Sequence, residues 1–147
     1  MMSGIRGKNT KPELVIRHGL FSLGFRYRLH VRDLPGKPDL AFPKYKTVLF
    51  INGCFWHQHD CKLFKAPSTN RDFWEIKFTR NKLNDEINRS LLLNAGWKVV
   101  VVWECAMKNR KNELPAVLRK VSEIIKKSCR GCLFEITDST SLENDFL

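Results

Sequence analysis

Pro38-Asp39-Leu40-Ala41-Phe42-Pro43-Lys44-Tyr45-Lys46-Thr47-Val48-Leu49-Phe50-Ile51 contains two short apolar runs on either side of a polar, proline-led connection. The runs 38–42 and 47–51 predict two strands joined as a hairpin through 43–46. Upstream, Asp33-Leu34-Pro35-Gly36 predicts a turn. Residues 25–31 alternate apolar and basic side chains, as a half-exposed strand does. Further back, Thr10-Lys11-Pro12-Glu13 supplies a cap, a proline in the first turn and a glutamate three places after the cap. A helix is expected from there to about Leu23, ended by Gly24. Its apolar residues Leu14, Ile16, Leu20, Phe21 and Leu23 cover more than one face, which predicts that it is largely buried.

Downstream, residues 52–70 follow neither the helical nor the strand period and predict an irregular loop. A long helix is expected over 71–94, capped by Asn70 or Thr69 and stopped at Gly96, with Ile76, Leu83, Ile87 and Leu91 as its apolar stripe. The run 97–103 carries four valines and predicts a strand covered on both faces. A last helix over 113–127 places Leu118, Val121, Ile124 and Ile125 on one side. Helix, three strands, helix, strand, helix implies an α/β fold with a central mixed sheet flanked by helices. One domain over 1–135 and an acidic, flexible tail over 136–147 are expected.

The totals agree with a globular domain. A chain of 147 residues can bury about two thirds of its unfolded surface. Lys and Arg number 26 against 15 Asp and Glu, a formal charge of +11, which suits a polyanionic partner without proving one. Residues 1–50 hold ten basic and three acidic side chains, whereas 131–147 hold four acids and no base. The first residues are polar and basic, with no apolar signal core. The longest apolar stretch, broken by Asn52 and Gly53, is too short to span a bilayer. The expected setting is the cytoplasm or nucleoid, where five cysteines serve metals more readily than disulfides.

Cys54-Phe55-Trp56-His57-Gln58-His59-Asp60-Cys61 crowds two thiols, two imidazoles and a carboxylate into a loop with no core of its own. A tetrahedral zinc would order it, with Cys54, His59 and Cys61 as three ligands. Cys105, just past the buried strand, is one source of the fourth; the Cys129-x-x-Cys132 pair is the other. Buried thiols beside surface histidines are the bland alternative. Four protein ligands would close the site and make it structural.

Asp39 opens an apolar strand directly after a turn, where a half-desolvated carboxylate suits a bound cation or, equally, a turn cap. A Pro-Asp strand start with a second apolar strand some dozen residues on is the skeleton of the PD-(D/E)XK nucleases. The second acid and the lysine of that motif are missing from Val48-Leu49-Phe50-Ile51-Asn52. Glu13 suits a capping box and can also lend an oxygen to a site.

Four segments together resemble the very-short-patch (Vsr) mismatch-repair endonucleases: Ile5-Arg6-Gly7-Lys8-Asn9-Thr10-Lys11-Pro12-Glu13, Leu34-Pro35-Gly36-Lys37-Pro38-Asp39, Asn52-Gly53-Cys54-Phe55-Trp56-His57-Gln58-His59-Asp60-Cys61 and Val102-Trp103-Glu104-Cys105. The similarity runs from about Met2 to Lys111. It implies a PD-(D/E)XK restriction-endonuclease-like fold with a structural zinc loop. It implies that Asp39 binds two Mg2+ ions with help from the Ile51 backbone carbonyl, that His57 transfers the proton, and that Glu13 supports the site through hydrogen bonds. It assigns zinc to Cys54, His59, Cys61 and Cys105. Asn52 stands where well-known members have a second active-site histidine; an amide can hydrogen bond to phosphate but cannot shuttle a proton.

The resemblance further implies that Phe55, Trp56 and Trp74 wedge into the base stack at a mispair; covering the zinc loop as local core is their ordinary alternative. Lys77, Asn81 and Asp85 lie four apart on one helix face. The first two would face DNA and the third would orient His57, unless the face is merely solvated. Met2 is assigned to DNA contact at the start of the match, and the family's short basic N-terminal arm is expected to be missing. The implied substrate is double-stranded DNA with a T:G mispair, nicked 5′ to the thymine. The protein is expected to act as a monomer, alongside other mismatch-repair proteins and without a membrane. A nuclease of relaxed context or different lesion, and a zinc-containing DNA-binding module without cleavage, are the competing readings.

Overall fold

Lys98–Trp103 is buried at all six positions, and its valines explain why. β-branched side chains fit a pleated surface, and alternate residues face opposite sides of the sheet. Val100 and Val102 enter one core, while Val99, Val101 and Trp103 enter another. The computed structural model describes residues 11–54, 65–108 and 114–137. Their elements are α1 (Lys11–Ser22), β1 (Arg28–Leu29), β2 (Leu40–Phe42), β3 (Thr47–Asn52), α2 (Arg71–Asn94), β4 (Lys98–Trp103), α3 (Glu104–Lys108), α4 (Leu114–Lys126) and β5 (Leu133–Ile136). The strands form one sheet in the order β1-β2-β3-β4-β5. The β1–β2 and β2–β3 pairs are antiparallel, and β3–β4 and β4–β5 are parallel. The expected mixed α/β sheet with flanking helices is present.

One core joins Ile16 and Leu20 of α1 and Val117, Val121, Ile124 and Ile125 of α4 to Leu40, Phe42, Leu49, Val100, Val102 and Ile136. Each such side chain contributes about 1.5–3 kcal/mol when fully buried. The opposite face packs Val31, Ala41, Val48, Val99, Val101 and Trp103 with Leu92 of α2. Lys98 is one exception to the apolar rule, with Glu13 and Thr47 also buried. It is 2% exposed, yet its Nζ donates to the carbonyls of Ile124 (2.5 Å), Ile125 (2.8 Å) and Lys127 at the end of α4. Those carbonyls belong to the last turn, where carbonyls run short of helical donors, although Ile124 carbonyl also accepts from Lys127 N–H, and a cation suits them. No helix among the described residues is long and apolar enough to cross a membrane.

Several expectations need correction. The strand over 25–31 shrinks to Arg28–Leu29, because His30 turns to φ 46° and leaves the ladder. The expected hairpin connection over 43–46 is in place, as a 3-10 turn at Pro43–Tyr45 closed by a left-handed Lys46. α1 buries one face only, leaving Phe21 and Leu23 exposed. Asn70 begins α2 with its backbone carbonyl, which accepts from Trp74 N–H, and makes no side-chain cap bond. The stripe of Ile76, Leu83, Ile87 and Leu91 faces outward; Phe78 and Leu92 are the side chains α2 buries. α3 and β5 are additional elements. Ile136 ends β5 and is buried, while residues 138–147 of the expected tail lie outside the described residues.

Candidate active site

Leu34-Pro35-Gly36-Lys37 forms the turn that delivers Asp39. Lys37 N–H donates to Leu34 carbonyl at 3.0 Å, and Gly36 sits at φ 77°. Proline second and a positive-φ glycine third is the type II pattern. Gly36 is also a close approach: a Cβ there would lie 3.1 Å from Asn88 Cβ and 3.3 Å from the Phe50 ring. The turn is therefore pressed between α2 and β3. Beyond it, Val31 N–H donates to Pro38 carbonyl and His30 N–H to Asp39 carbonyl. The Asp39 carboxylate accepts from Ile51 N–H at 2.7 Å, a short bond to an anion that fixes its orientation.

Asp39 lies in a cavity of about 210 Å3 lined by Gly36, Lys37, Phe50, Ile51, Asn52, Asp85, Asn88, Arg89 and Val101. The β-hairpin supplies Asp39, Ile51 and Asn52, and α2 supplies the opposite wall. Arg89 is held toward this wall by Glu135, 3.9 Å away, which also accepts from Trp103 Nε1 at 2.8 Å. Lys37 and Arg89 bring positive charge to the acids of the cleft, an arrangement that suits a phosphodiester bridged to the protein by cations.

Glu13 is 2% exposed, far deeper than a capping-box glutamate needs to be. Its Oε2 meets Arg17 Nη1 at 3.0 Å and His30 Nε2 at 2.6 Å. One ligand atom each from Glu13, His30 and Asp39 all lie within 4.8 Å of one another. Glu13 and Asp39, 26 residues apart in sequence, are thus brought together. His30 is the residue that sequence reading missed. It passes there for the polar member of an alternating strand, and its only signal is an imidazole nine residues before the aspartate.

Among the expected zinc ligands, Cys54 and Cys105 are described, and both are fully buried in one cluster. Parallel pairing matches Asn52 with Trp103, so each thiol lies two residues beyond a paired position on neighbouring strands. Cys54 N–H also donates to Glu104 Oε1 at 3.4 Å. Cys129 and Cys132, by contrast, are joined to each other, with Cα atoms 5.8 Å apart, against the expectation that the cysteines favour metals over disulfides. Cys132 carbonyl accepts from Val99 N–H, at the start of β4. β4 spans about 13 Å from Val99 to Trp103, so this pair sits at the wrong end of the strand to serve Cys54.

On α2, Trp74 is half-buried and stacks on Phe78 at 5.7 Å, with Phe73 edge-on at 5.2 Å. Lys77 is exposed, Asn81 half-buried, and Asp85 reaches the cavity wall. Met2, Phe55, Trp56, His57, His59 and Cys61 lie outside the described residues.

Comparison with known proteins identifies the family. The family described as DNA mismatch endonuclease Vsr matches residues 1–63. A type II nicking enzyme of Xanthomonas oryzae is 42% identical over 121 residues, covering 82% of this chain and 88% of that protein. A second, from Neisseria meningitidis serogroup A, is 43% identical over 128 residues, covering 85% and 91%. The DNA mismatch endonuclease Vsr of Escherichia coli is 39% identical over 110 residues, covering 75% and 70%. Identity at this level across most of both chains, with the Asp39 turn and the paired strands in place, makes the chain a member of the Vsr DNA mismatch endonuclease family.

Proposed function

We propose that the protein is a Mg2+-dependent endonuclease that nicks duplex DNA 5′ to the thymine of a T:G mispair. The observation that carries this reading is the Asp39 carboxylate, oriented by Ile51 N–H at 2.7 Å in a cleft lined by Lys37 and Arg89, with the buried Glu13 carboxylate within 4.8 Å of it. A half-buried carboxylate with a neighbouring backbone carbonyl and a second acid is an oxygen donor set suited to Mg2+. Asp39 and the Ile51 carbonyl would hold it. Bound there, Mg2+ supplies charge neutralisation at the scissile phosphate and a more acidic water. Glu13 fixes the floor of the site through its bonds to Arg17 and His30. Asn52, at the end of β3, offers an amide to a phosphate oxygen. His57 is assigned the proton transfer, for which an imidazole near neutral pKa is suited.

The zinc assignment is Cys54, His59, Cys61 and Cys105. Two buried thiols at matching ends of adjacent strands support it, since thiolates of this geometry suit a tetrahedral structural ion. A clasp of that kind would fix the segment carrying His57 beside the mouth of the cleft. Phe55, Trp56, Trp74, Lys77, Asn81 and Met2 are assigned to the DNA. For Trp74, the stacked Phe78 gives a rigid base from which an aromatic edge can enter a base step. A fold of the restriction-endonuclease type is consistent with the five-stranded mixed sheet.

A second reading has its own support: several relatives are named type II nicking enzymes, which favours a nicking nuclease of relaxed context as the competitor. Incubating labelled duplexes with and without a T:G pair, in Mg2+ or in EDTA, tests both. The expected result is one nick 5′ to the mispaired thymine in Mg2+ alone. Equal cutting of matched duplex would replace mismatch specificity with relaxed nicking, and binding without a product under any condition would leave a DNA-binding module.

A further inference from the structure

We propose that His30 is a ligand of the catalytic divalent cation, forming with Glu13 and Asp39 a three-residue site of one nitrogen and two carboxylate oxygens. The inference rests on Asp39 being the metal-bearing acid and gives the cation a ligand beyond Asp39 and the Ile51 carbonyl.

The ligand atoms of the three residues lie within 4.8 Å of one another. Around a small divalent ion with ligands at about 2.1 Å, adjacent donors sit about 3 Å apart and opposite donors about 4.2 Å apart. With the widest pair in a trans arrangement, the cluster needs about 0.6 Å of contraction to share one ion. His30 Nε2 is aimed at Glu13 Oε2 at 2.6 Å rather than at solvent, and the side chain is 22% exposed. Arg17 holds the same carboxylate from the helix side, so Glu13 is fixed in α1 while the other two ligands come from the 30–39 segment.

Backbone geometry ties His30 to Asp39. His30 has φ 46°, an uncommon and strained conformation for a residue with a side chain. Its N–H donates to Asp39 carbonyl at 2.9 Å, and the next residue donates to Pro38 carbonyl at 3.1 Å. The nitrogen and one of the oxygens are thereby held on a single braced loop. This is the kind of over-determined local strain that functional sites carry. An imidazole beside two carboxylates also changes metal preference. Mg2+ favours oxygen alone, whereas Mn2+ and the later first-row ions accept nitrogen readily. The site is therefore expected to bind Mn2+ more tightly than Mg2+.

The test uses the full-length, zinc-replete protein without DNA and titrates Mn2+ alone, counting free ion by electron paramagnetic resonance. The wild type should bind Mn2+ and show nitrogen coupling to the bound ion by spin-echo modulation. His30→Ala should weaken Mn2+ at least about tenfold and remove that coupling, whereas His57→Ala should retain it. Circular dichroism checks folding. If His30→Ala unfolds, His30→Gln, which still donates to Glu13 but offers no imidazole, takes its place and should show the same loss. Wild-type Mn2+ affinity with the nitrogen signal intact in the folded His30 variant overturns the proposal, even if nicking falls, because His30 would then only position Glu13. Retained Mn2+ binding in Asp39→Asn overturns it differently, by removing the reading of Asp39 on which it rests.

Discussion

Replacing Gly36 by alanine tests whether the turn before Asp39 is held by both backbone conformation and close packing. The first constraint is conformational: at φ 77° a Cβ costs about 1–2 kcal/mol. The second is steric, since the added carbon meets Asn88 Cβ at 3.1 Å and Phe50 at 3.3 Å, so α2 or the turn must yield by a few tenths of an ångström. Together they give a loss of about 1–3 kcal/mol, or roughly 3–10 °C in melting temperature for a domain of this size. Gly24 separates the two contributions. It has φ 99° with nothing within 4 Å of an added Cβ, so Gly24→Ala bears the conformational cost alone. Thermal unfolding and single-turnover nicking, measured well below both midpoints, are the assays. Gly36→Ala should slow nicking several-fold in the folded state, because displacement of the turn moves Asp39. Gly24→Ala should melt early and nick normally. Wild-type melting and nicking by Gly36→Ala would refute the reasoning.

Three further outcomes are expected. Lys98→Met takes the ammonium away from three helix-end carbonyls and should lower stability by about 1–3 kcal/mol, read as a reduced urea midpoint with an unchanged slope. Burial, with Lys127 adding, pushes the Lys98 ammonium below its ordinary range. The unfolded chain then holds that proton more tightly, so wild-type stability should rise with pH between the lowered folded value and the ordinary lysine value, a slope that Lys98→Met should flatten. Cys105→Ala should abolish bound zinc in elemental analysis while Cys129→Ala leaves it at one per chain; the reverse would move the fourth ligand to the other end of β4.

Much of the architecture is legible in the chain itself. The valine run of β4, the hairpin pair β2 and β3, and the span of α2 follow from periods long enough to stand out. Asp39 is legible because an acid opening an apolar strand is unusual, and Cys105 because it follows the buried strand. The losses have physical causes. β5 has four residues at the sheet edge and is half exposed, so its pattern is too short and too mixed to read. The apolar residues of α2 form a true helical stripe, but periodicity reports that a face exists and not which face meets the sheet. His30 escapes for the same reason. A single positive-φ residue in an alternating run reverses where a side chain points, and no residue type advertises it. Lys98 looks like a surface residue in sequence because its partners, the last carbonyls of α4, are almost thirty residues away.

The most direct test of the account is single-turnover nicking of a T:G duplex in Mg2+ by Asp39→Asn, with melting temperature measured on the same sample. The amide keeps the shape of the side chain but gives up the charge that would hold the cation. The account predicts a folded protein whose nicking rate falls by several orders of magnitude. A folded Asp39→Asn protein that nicks at the wild-type rate would contradict it.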